Sequence, residues 1–215
     1  MAQWIAYTHG GKPGFGQVEG ERVVVYEGGM FAEPLYFLKS PNSYCAHEHA
    51  VPSPIGYDGR VVYEGELGVV IGRRCKNANE EQARQAIFGF TCINDITALD
   101  LIAKDASFAQ WTRAKCFDGF GVIGPAIATG LDWKSLHVRT LLNGKERQNY
   151  PCSDMIFSPE QIVHAVSQDM TLEPGDVIAC GTSLGVLPMK PGAVVEVHIE
   201  GIGTLRNTYG MSGTV

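Results

Sequence analysis

Two glutamates stand at alternate positions in a run of apolar residues and glycines. They are Glu64 and Glu66, in the segment 62–72, and the residues 67–71 that follow Glu66 lack any polar alternation. A continuous apolar run of this length predicts a buried strand. Residues two apart in a strand point to the same face, so the two carboxylates are expected side by side. Buried like charges need a counter-charge, because otherwise they protonate or destabilise the fold.

A third acid lies at the end of another apolar segment. Asp95 closes the segment 88–95, which also predicts a buried strand. A divalent cation can neutralise such acids where the run itself contains no lysine or arginine. An all-oxygen donor set indicates a hard ion, Mg²⁺, Mn²⁺ or Ca²⁺, and not zinc. The alternative is that Glu64 and Glu66 lie on the solvent face of a half-exposed strand.

Composition excludes several classes of partner. The chain has 215 residues and a formal net charge of -6, and we find no cluster of basic residues that would indicate a nucleic acid or an anionic membrane as partner. No run reaches transmembrane length, and the first residues lack the features of a signal peptide. We therefore expect a cytoplasmic protein. Six cysteines occur without a C-x-x-C pair, which favours reduced, mostly buried thiols.

The pattern of short strands and few helices predicts a mainly β fold with short peripheral helices, arranged as a mixed β-roll or sandwich. A small N-terminal meander is expected in 1–33, ahead of a larger domain in 34–215. Within that domain we predict a long loop over 41–59 and a hairpin that turns at Asn143 and Gly144. Two helices are expected to begin after the capping residues Asn79 and Ser158.

From Pro34 to Tyr209 the chain resembles the fumarylacetoacetate hydrolase family. Six motifs occur in the family's order, at 63–67, 94–98, 114–118, 172–178, 181–183 and 201–203. The resemblance implies the family's mixed β-roll, usually as a homodimer, with Mg²⁺, Mn²⁺ or Ca²⁺ bound by Glu64, Glu66 and Asp95. Family members cleave carbon-carbon bonds of 1,3-diketo acids, decarboxylate 2-oxo diacids, or tautomerise unsaturated oxo acids.

The same resemblance suggests residues that contact the substrate. Lys115 matches the family lysine that points into the site, where an ammonium can hold a substrate carboxylate or a developing oxyanion. Gly181 and Thr182 follow a predicted strand and could offer a backbone N–H and a hydroxyl to that carboxylate. Without the motifs, Lys115 would be interpreted as a surface lysine and the 181–183 segment as a simple turn.

The chain departs from the family in two places. Leu99 and Ile102 stand where many members have arginine and glutamine, so a polar substrate contact is lost. Family members also carry an aromatic segment with a histidine ahead of Pro34, often on a mobile lid, whereas here 26–30 leads almost directly into 31–34. Either the protein lacks this segment, or the sequence as it stands omits a mobile one. His47, with Glu48 beside it, is a possible substitute general base; the alternative is a solvated polar loop.

The sequence therefore predicts a divalent-metal-dependent enzyme that acts on a small oxo acid, with Mg²⁺ as the first choice of cofactor. Carbon-carbon hydrolysis is the first interpretation. Decarboxylation or isomerisation is the second, since neither needs a histidine-activated water molecule. A third hypothesis, from another class, is a metal-binding homodimer of the same fold that has lost turnover.

Overall fold

The computed structural model describes three N-terminal strands by their backbone and residues 33–210 in full. The strands are β1 (Gln3–His9), β2 (Lys12–Glu19) and β3 (Arg22–Val25). Most of the junction between Met30 and Pro34, where the family's additional segment would lie, falls outside the described residues. The chain divides into two compact units, Met1–Tyr36 and Phe37–Val215. The predicted boundary after residue 33 stays a prediction, since the residues before it are not described in full.

The first unit contains an antiparallel sheet in the order β1-β2-β3. The three strands form a meander, and the extent expected for it, residues 1–33, stays a prediction.

The second unit consists mainly of short strands with four short helices. Its strands are β4 (Tyr44–Ala46), β5 (Ala50–Val51), β6 (Val61–Val62), β7 (Gly65–Ile71), β8 (Ile87–Asp95), β9 (Thr97–Ala98), β10 (Gly121–Ala128), β11 (His137–Leu142), β12 (Lys145–Pro151), β13 (Val177–Ala179), β14 (Val194–Ile199) and β15 (Gly203–Tyr209). Its helices are α1 (Glu80–Ala86), α2 (Leu99–Ile102), α3 (Trp111–Lys115) and α4 (Pro159–Asp169).

Two five-stranded mixed sheets organise this unit. The first has the order β13-β7-β8-β10-β4, and the second has the order β12-β11-β14-β15-β5. Apolar side chains of both sheets, such as Leu67, Cys92, Val197 and Leu205, are buried in one core. In each sheet a single edge strand is parallel to its neighbour and the remaining pairs are antiparallel. The predicted fold class, a mainly β mixed roll with short peripheral helices, is confirmed.

Local sequence signals account for several elements. Asn79 and Ser158 each cap a helix through a complete capping box, as predicted. The hairpin β11–β12 turns at Asn143 and Gly144, which both have positive φ, as an Asn-Gly turn of this type requires.

The segment 41–59 is not the continuous loop that we predicted. It contains β4 and β5, which add in parallel to the edges of the two sheets by pairing with β10 and β15. Strands of two or three residues are too short to show hydrophobic alternation, so their existence depends on the partner strand. In the described part of the chain, no helix is both long and apolar enough to cross a membrane.

Candidate metal centre and active site

The pairing of β7 with β8 brings the three predicted acids together. Glu64 directly precedes β7 and lies opposite Asp95, whose N–H donates to the Glu64 carbonyl at 2.9 Å. Glu66 pairs with Ile93, two positions along the same strands. Opposed residues of an antiparallel pair share a face, so all three carboxylates point to one side of the sheet. One carboxylate oxygen of each residue lies within 4.8 Å of the others.

Glycine separates the two glutamates because the second sheet approaches closely at this point. A Cβ atom on Gly65 would lie 1.9 Å from Oγ1 of Thr140 in β11. The Gly65 peptide is also held by β12: its N–H donates to Gln148 Oε1 at 3.1 Å, and its carbonyl accepts from the Tyr150 hydroxyl at 2.7 Å. The main chain between the two acids is therefore fixed by the opposite sheet.

Two lysines meet the carboxylates. Lys115, at the end of α3, donates to Glu64 Oε2 at 2.5 Å and to Asp95 Oδ2 at 2.6 Å, and its side chain is only 2% exposed. Lys39 donates to the other oxygen of Asp95 at 2.6 Å and to the Lys115 carbonyl at 2.5 Å. The structure thus brings the predicted Lys115 to the acid cluster.

Lys39 was not predicted as a site residue. It lies five residues after Pro34, where the family resemblance begins. A usable signal was present, since Lys39 is a single cation that follows a mainly apolar stretch inside the region of family resemblance.

Burial and mutual repulsion shift the ionisation of these groups. Burial, followed by the charges of Asp95 and Glu64, raises the pKa of Glu66 to about 8. Burial also raises the pKa of Glu64, although the Lys115 ammonium opposes that shift. For Lys115, burial favours the neutral amine, but the neighbouring carboxylates together outweigh it and hold the pKa above its ordinary value. Lys115 is therefore charged at neutral pH.

These residues fit a divalent cation. The donors are three carboxylates, two of them buried and one nearly so, which is the oxygen set that hard cations prefer. Burial is the largest cause of the raised pKa of Glu66 and the charges of Asp95 and Glu64 add to it, so a cation at the cluster would stabilise the ionised carboxylates. Glu64, Glu66 and Asp95 would hold such an ion.

The turn after β13 supports the acid cluster. The Gly181 N–H donates to Glu66 Oε2 at 2.7 Å, and the Thr182 hydroxyl donates to the Gly65 carbonyl at 2.9 Å. Thr182 also accepts from Gln148 Nε2 at 2.8 Å. These two predicted substrate donors are thus engaged with the protein itself, where they orient Glu66 and the Gly65 peptide. Their contact with substrate stays a prediction.

His47 is not brought to the acid cluster. Its Nδ1 accepts from the Arg206 N–H at 3.1 Å, and Nε2 lies 4.0 Å from the Glu48 carboxylate. The register β4-β10-β8 separates it from Asp95 by two strands and three residues, which is about 10 Å in each direction. A role for His47 as general base stays a prediction.

The fold and the site define a class: a β-rich protein with a buried three-carboxylate centre that could hold a hard cation, and a charged lysine beside it. The family of fumarylacetoacetate (FAA) hydrolase C-terminal domains matches residues 17–209. The chain belongs to this fumarylacetoacetate hydrolase family.

Known relatives include a protein without an assigned function, a tautomerase and an isomerase. A protein of Archaeoglobus fulgidus without an assigned function is 49% identical, over 82% of this chain and 69% of its own length. Oxaloacetate tautomerase YisK of Bacillus subtilis is 37% identical, over 82% of this chain and 61% of its own length. The crystal structure of 2-hydroxyhepta-2,4-diene-1,7-dioate isomerase from Mycobacterium marinum is 40% identical, with a TM-score of 0.80, and the match covers 86% of this chain and 72% of that one.

Proposed function

We propose that the protein is a divalent-metal-dependent enzyme that isomerises or tautomerises a small enolisable 2-oxo acid. The observation that carries the proposal is the buried cluster of Glu64, Glu66 and Asp95 with the Lys115 ammonium hydrogen-bonded to two of its members. We take Mg²⁺ as the ion and a homodimer as the assembly.

The reaction needs stabilisation of negative charge that develops on the substrate oxygens. A bound cation supplies Lewis-acid stabilisation of that charge. Lys115 is charged at neutral pH and buried, so its N–H groups can donate to a substrate carboxylate or to the developing oxyanion. The same raised pKa makes Lys115 a hydrogen-bond donor and not a base.

Tautomerisation conserves all atoms. The C3–H bond breaks and its proton passes to solvent water, the C–H electron pair moves into the C2–C3 bond, and the C2–O π pair moves to oxygen, which takes up a proton from water in return. The reverse reaction returns a proton to C3. Neither direction consumes water or a second reactant.

Carbon-carbon hydrolysis, the first interpretation from the sequence, also needs a positioned base that activates water. Among residues 33–210 no histidine contacts the acid cluster. His164 hydrogen-bonds to the Ala78 carbonyl instead, and His198 to Thr204. Removal of the C3 proton also needs an acceptor, so the preference for isomerisation rests on the names of the relatives. Decarboxylation of a 2-oxo diacid, which also needs no activated water, is the second candidate.

Three assays on one preparation test the proposal. With Mg²⁺ or Mn²⁺, we expect accelerated decay of the enol absorbance of oxaloacetate and phenylpyruvate, beyond any release of CO₂ or any hydrolysis of acetylpyruvate. Chelation should abolish the activity and added metal should restore it. Lys115→Met should bind metal but lose at least about 100-fold in rate, as expected for a lost oxyanion donor.

Faster hydrolysis of acetylpyruvate than tautomerisation of either substrate would contradict the proposal. Metal binding without any turnover would instead support the hypothesis of a catalytically silent metal-binding protein.

A further inference from the structure

An aromatic pair lies beside the catalytic lysine. The rings of Phe37 and Trp111 stack with centroids 5.7 Å apart and planes inclined by 10°. Trp111 is 44% exposed, so part of this surface faces solvent. The Lys115 ammonium lies 5.2 Å from the centroid of the Phe37 ring. A flat apolar surface therefore adjoins the group that we expect to contact the substrate.

Helix geometry places Trp111 on the side of α3 that faces the acid cluster. Trp111 and Lys115 are four residues apart, so they occupy the same face of the helix. Thr112, Arg113 and Cys116 instead line a separate open cleft of about 710 Å³. Arg113 is thus directed toward a different part of the surface from Trp111.

The cations at the acid cluster are already engaged. In the described residues, the ion pairs of Glu64 and Asp95 come from Lys115 and Lys39 alone. Lys39 also donates to two main-chain carbonyls, those of Lys115 and Phe120. Among residues 33–210, no third lysine or arginine pairs with Glu64, Glu66 or Asp95 that could be positioned there for a second substrate carboxylate.

We propose that the Phe37–Trp111 pair forms the wall that receives the distal part of the substrate, and that this part is apolar and planar. The substrate class is then a monocarboxylic 2-oxo acid with an aromatic side chain, represented by phenylpyruvate. A ring gains from stacking on this surface, whereas a carboxylate placed there loses hydration and meets the negative face of the rings. This inference rests on the proposed function.

The test compares an aromatic with a dicarboxylic substrate. For the wild-type protein with Mg²⁺, we expect kcat/KM for phenylpyruvate tautomerisation to exceed that for oxaloacetate by about tenfold or more. Trp111→Ala should reduce this preference by about tenfold, mainly through a higher KM for phenylpyruvate, and Trp111→Phe should restore most of it.

A matched control removes an exposed aromatic side chain elsewhere on the same scaffold. Phe88 is 56% exposed and belongs to β8, the strand that ends at Asp95. It lies seven residues away, which is about 23 Å along the strand. Phe88→Ala should leave both kcat/KM values unchanged.

Binding of unreactive analogues separates failure of the wall from failure of the function. Phenyllactate and malate cannot enolise, and their affinities for the metal-loaded protein are measured by calorimetry. Trp111→Ala should weaken the binding of phenyllactate about tenfold and the binding of malate by a smaller factor. A wild-type preference for oxaloacetate, or an equal loss for both ligands in Trp111→Ala, would overturn the proposed wall.

If neither substrate turns over, the proposed function fails. The proposed wall is still supported if Trp111→Ala weakens the binding of phenyllactate more than that of malate. It is contradicted if both affinities change by the same factor.

Discussion

The two sides of the candidate site are built differently. The strand side consists of Glu64, Glu66 and Asp95, whose positions follow from the backbone pairing of β7 with β8. The lysine side consists of Lys39 and Lys115, which come from a segment without regular structure and from the last residue of the five-residue helix α3. A ladder of backbone hydrogen bonds fixes the first side. Ion pairs with the first side hold the two ammonium groups of the second, so the order of these groups depends on charge.

The largest expected effect comes from breaking the lysine side. Lys115→Met leaves Glu64 and Asp95 with less compensation in a buried site, so the free energy of unfolding of the metal-free protein should fall by roughly 3–5 kcal/mol. Chemical denaturation measures the difference. Saturating Mg²⁺ should recover part of the loss, because the ion supplies the missing charge.

Lys134→Met is the control for that experiment, since Lys134 is exposed and lies over the Trp133 ring. Its effect should stay within about 0.5 kcal/mol. Equal losses in the two variants would show that the Lys115 ion pairs contribute nothing to stability.

Replacing Glu66 tests the strand side of the site. Glu66→Gln keeps the volume and can still accept the Gly181 N–H, but it removes a carboxylate ligand. Calorimetric titration should show metal binding weakened by more than about 100-fold, beyond the loss typical of outer-shell substitutions. The metal-free variant should unfold at a similar denaturant concentration to the parent. Unchanged metal affinity would mean that Glu66 is not a ligand.

A smaller effect is expected from adding a side chain at position 65, on the strand side of the site. Gly65→Ala places a Cβ atom against Thr140 Oγ1, and such overpacking typically costs about 1–3 kcal/mol. The double variant Gly65→Ala with Thr140→Ser retains the clash with the hydroxyl, whereas Gly65→Ala with Thr140→Gly removes it. Stability relative to the matching Thr140 single variants should recover only in the second pair. Recovery in both would place the strain elsewhere.

The smallest effect concerns one hydrogen bond. Tyr150→Phe deletes the donor to the buried Gly65 carbonyl, while the Thr182 hydroxyl still donates to that oxygen. We expect a loss of about 1 kcal/mol in thermal or chemical unfolding. A loss several times larger would indicate that Tyr150 holds more of the strand side than this single contact.

The sequence predicted the strand side well because its signals are local and periodic. An apolar run with glutamates two residues apart determines which face they share, and the strands containing Glu66 and Asp95 are buried as expected. The helix caps at Asn79 and Ser158 and the turn at Asn143 are equally local signals.

The lysine side was harder to predict because it depends on contacts distant in sequence. Lys39 is 56 residues from Asp95, and a single lysine has no periodic signature. Lys115 was found through a motif and not through periodicity. The short strands β4 and β5 escaped prediction for a similar reason, since only their partners define them.

The hairpin β11–β12 connects the site to the second sheet through hydrogen bonds. Gln148 accepts from the Gly65 N–H and also donates to Thr182 Oγ1 and to the Ser183 carbonyl. One amide side chain therefore holds both the Gly65 N–H and the turn that orients Glu66. Any local opening that lifts β12 also displaces the ligands, so an ion that binds the closed arrangement must slow that opening. Amide protons of β12 should therefore exchange with deuterium more slowly when metal is added, although none of their own groups contacts the ion.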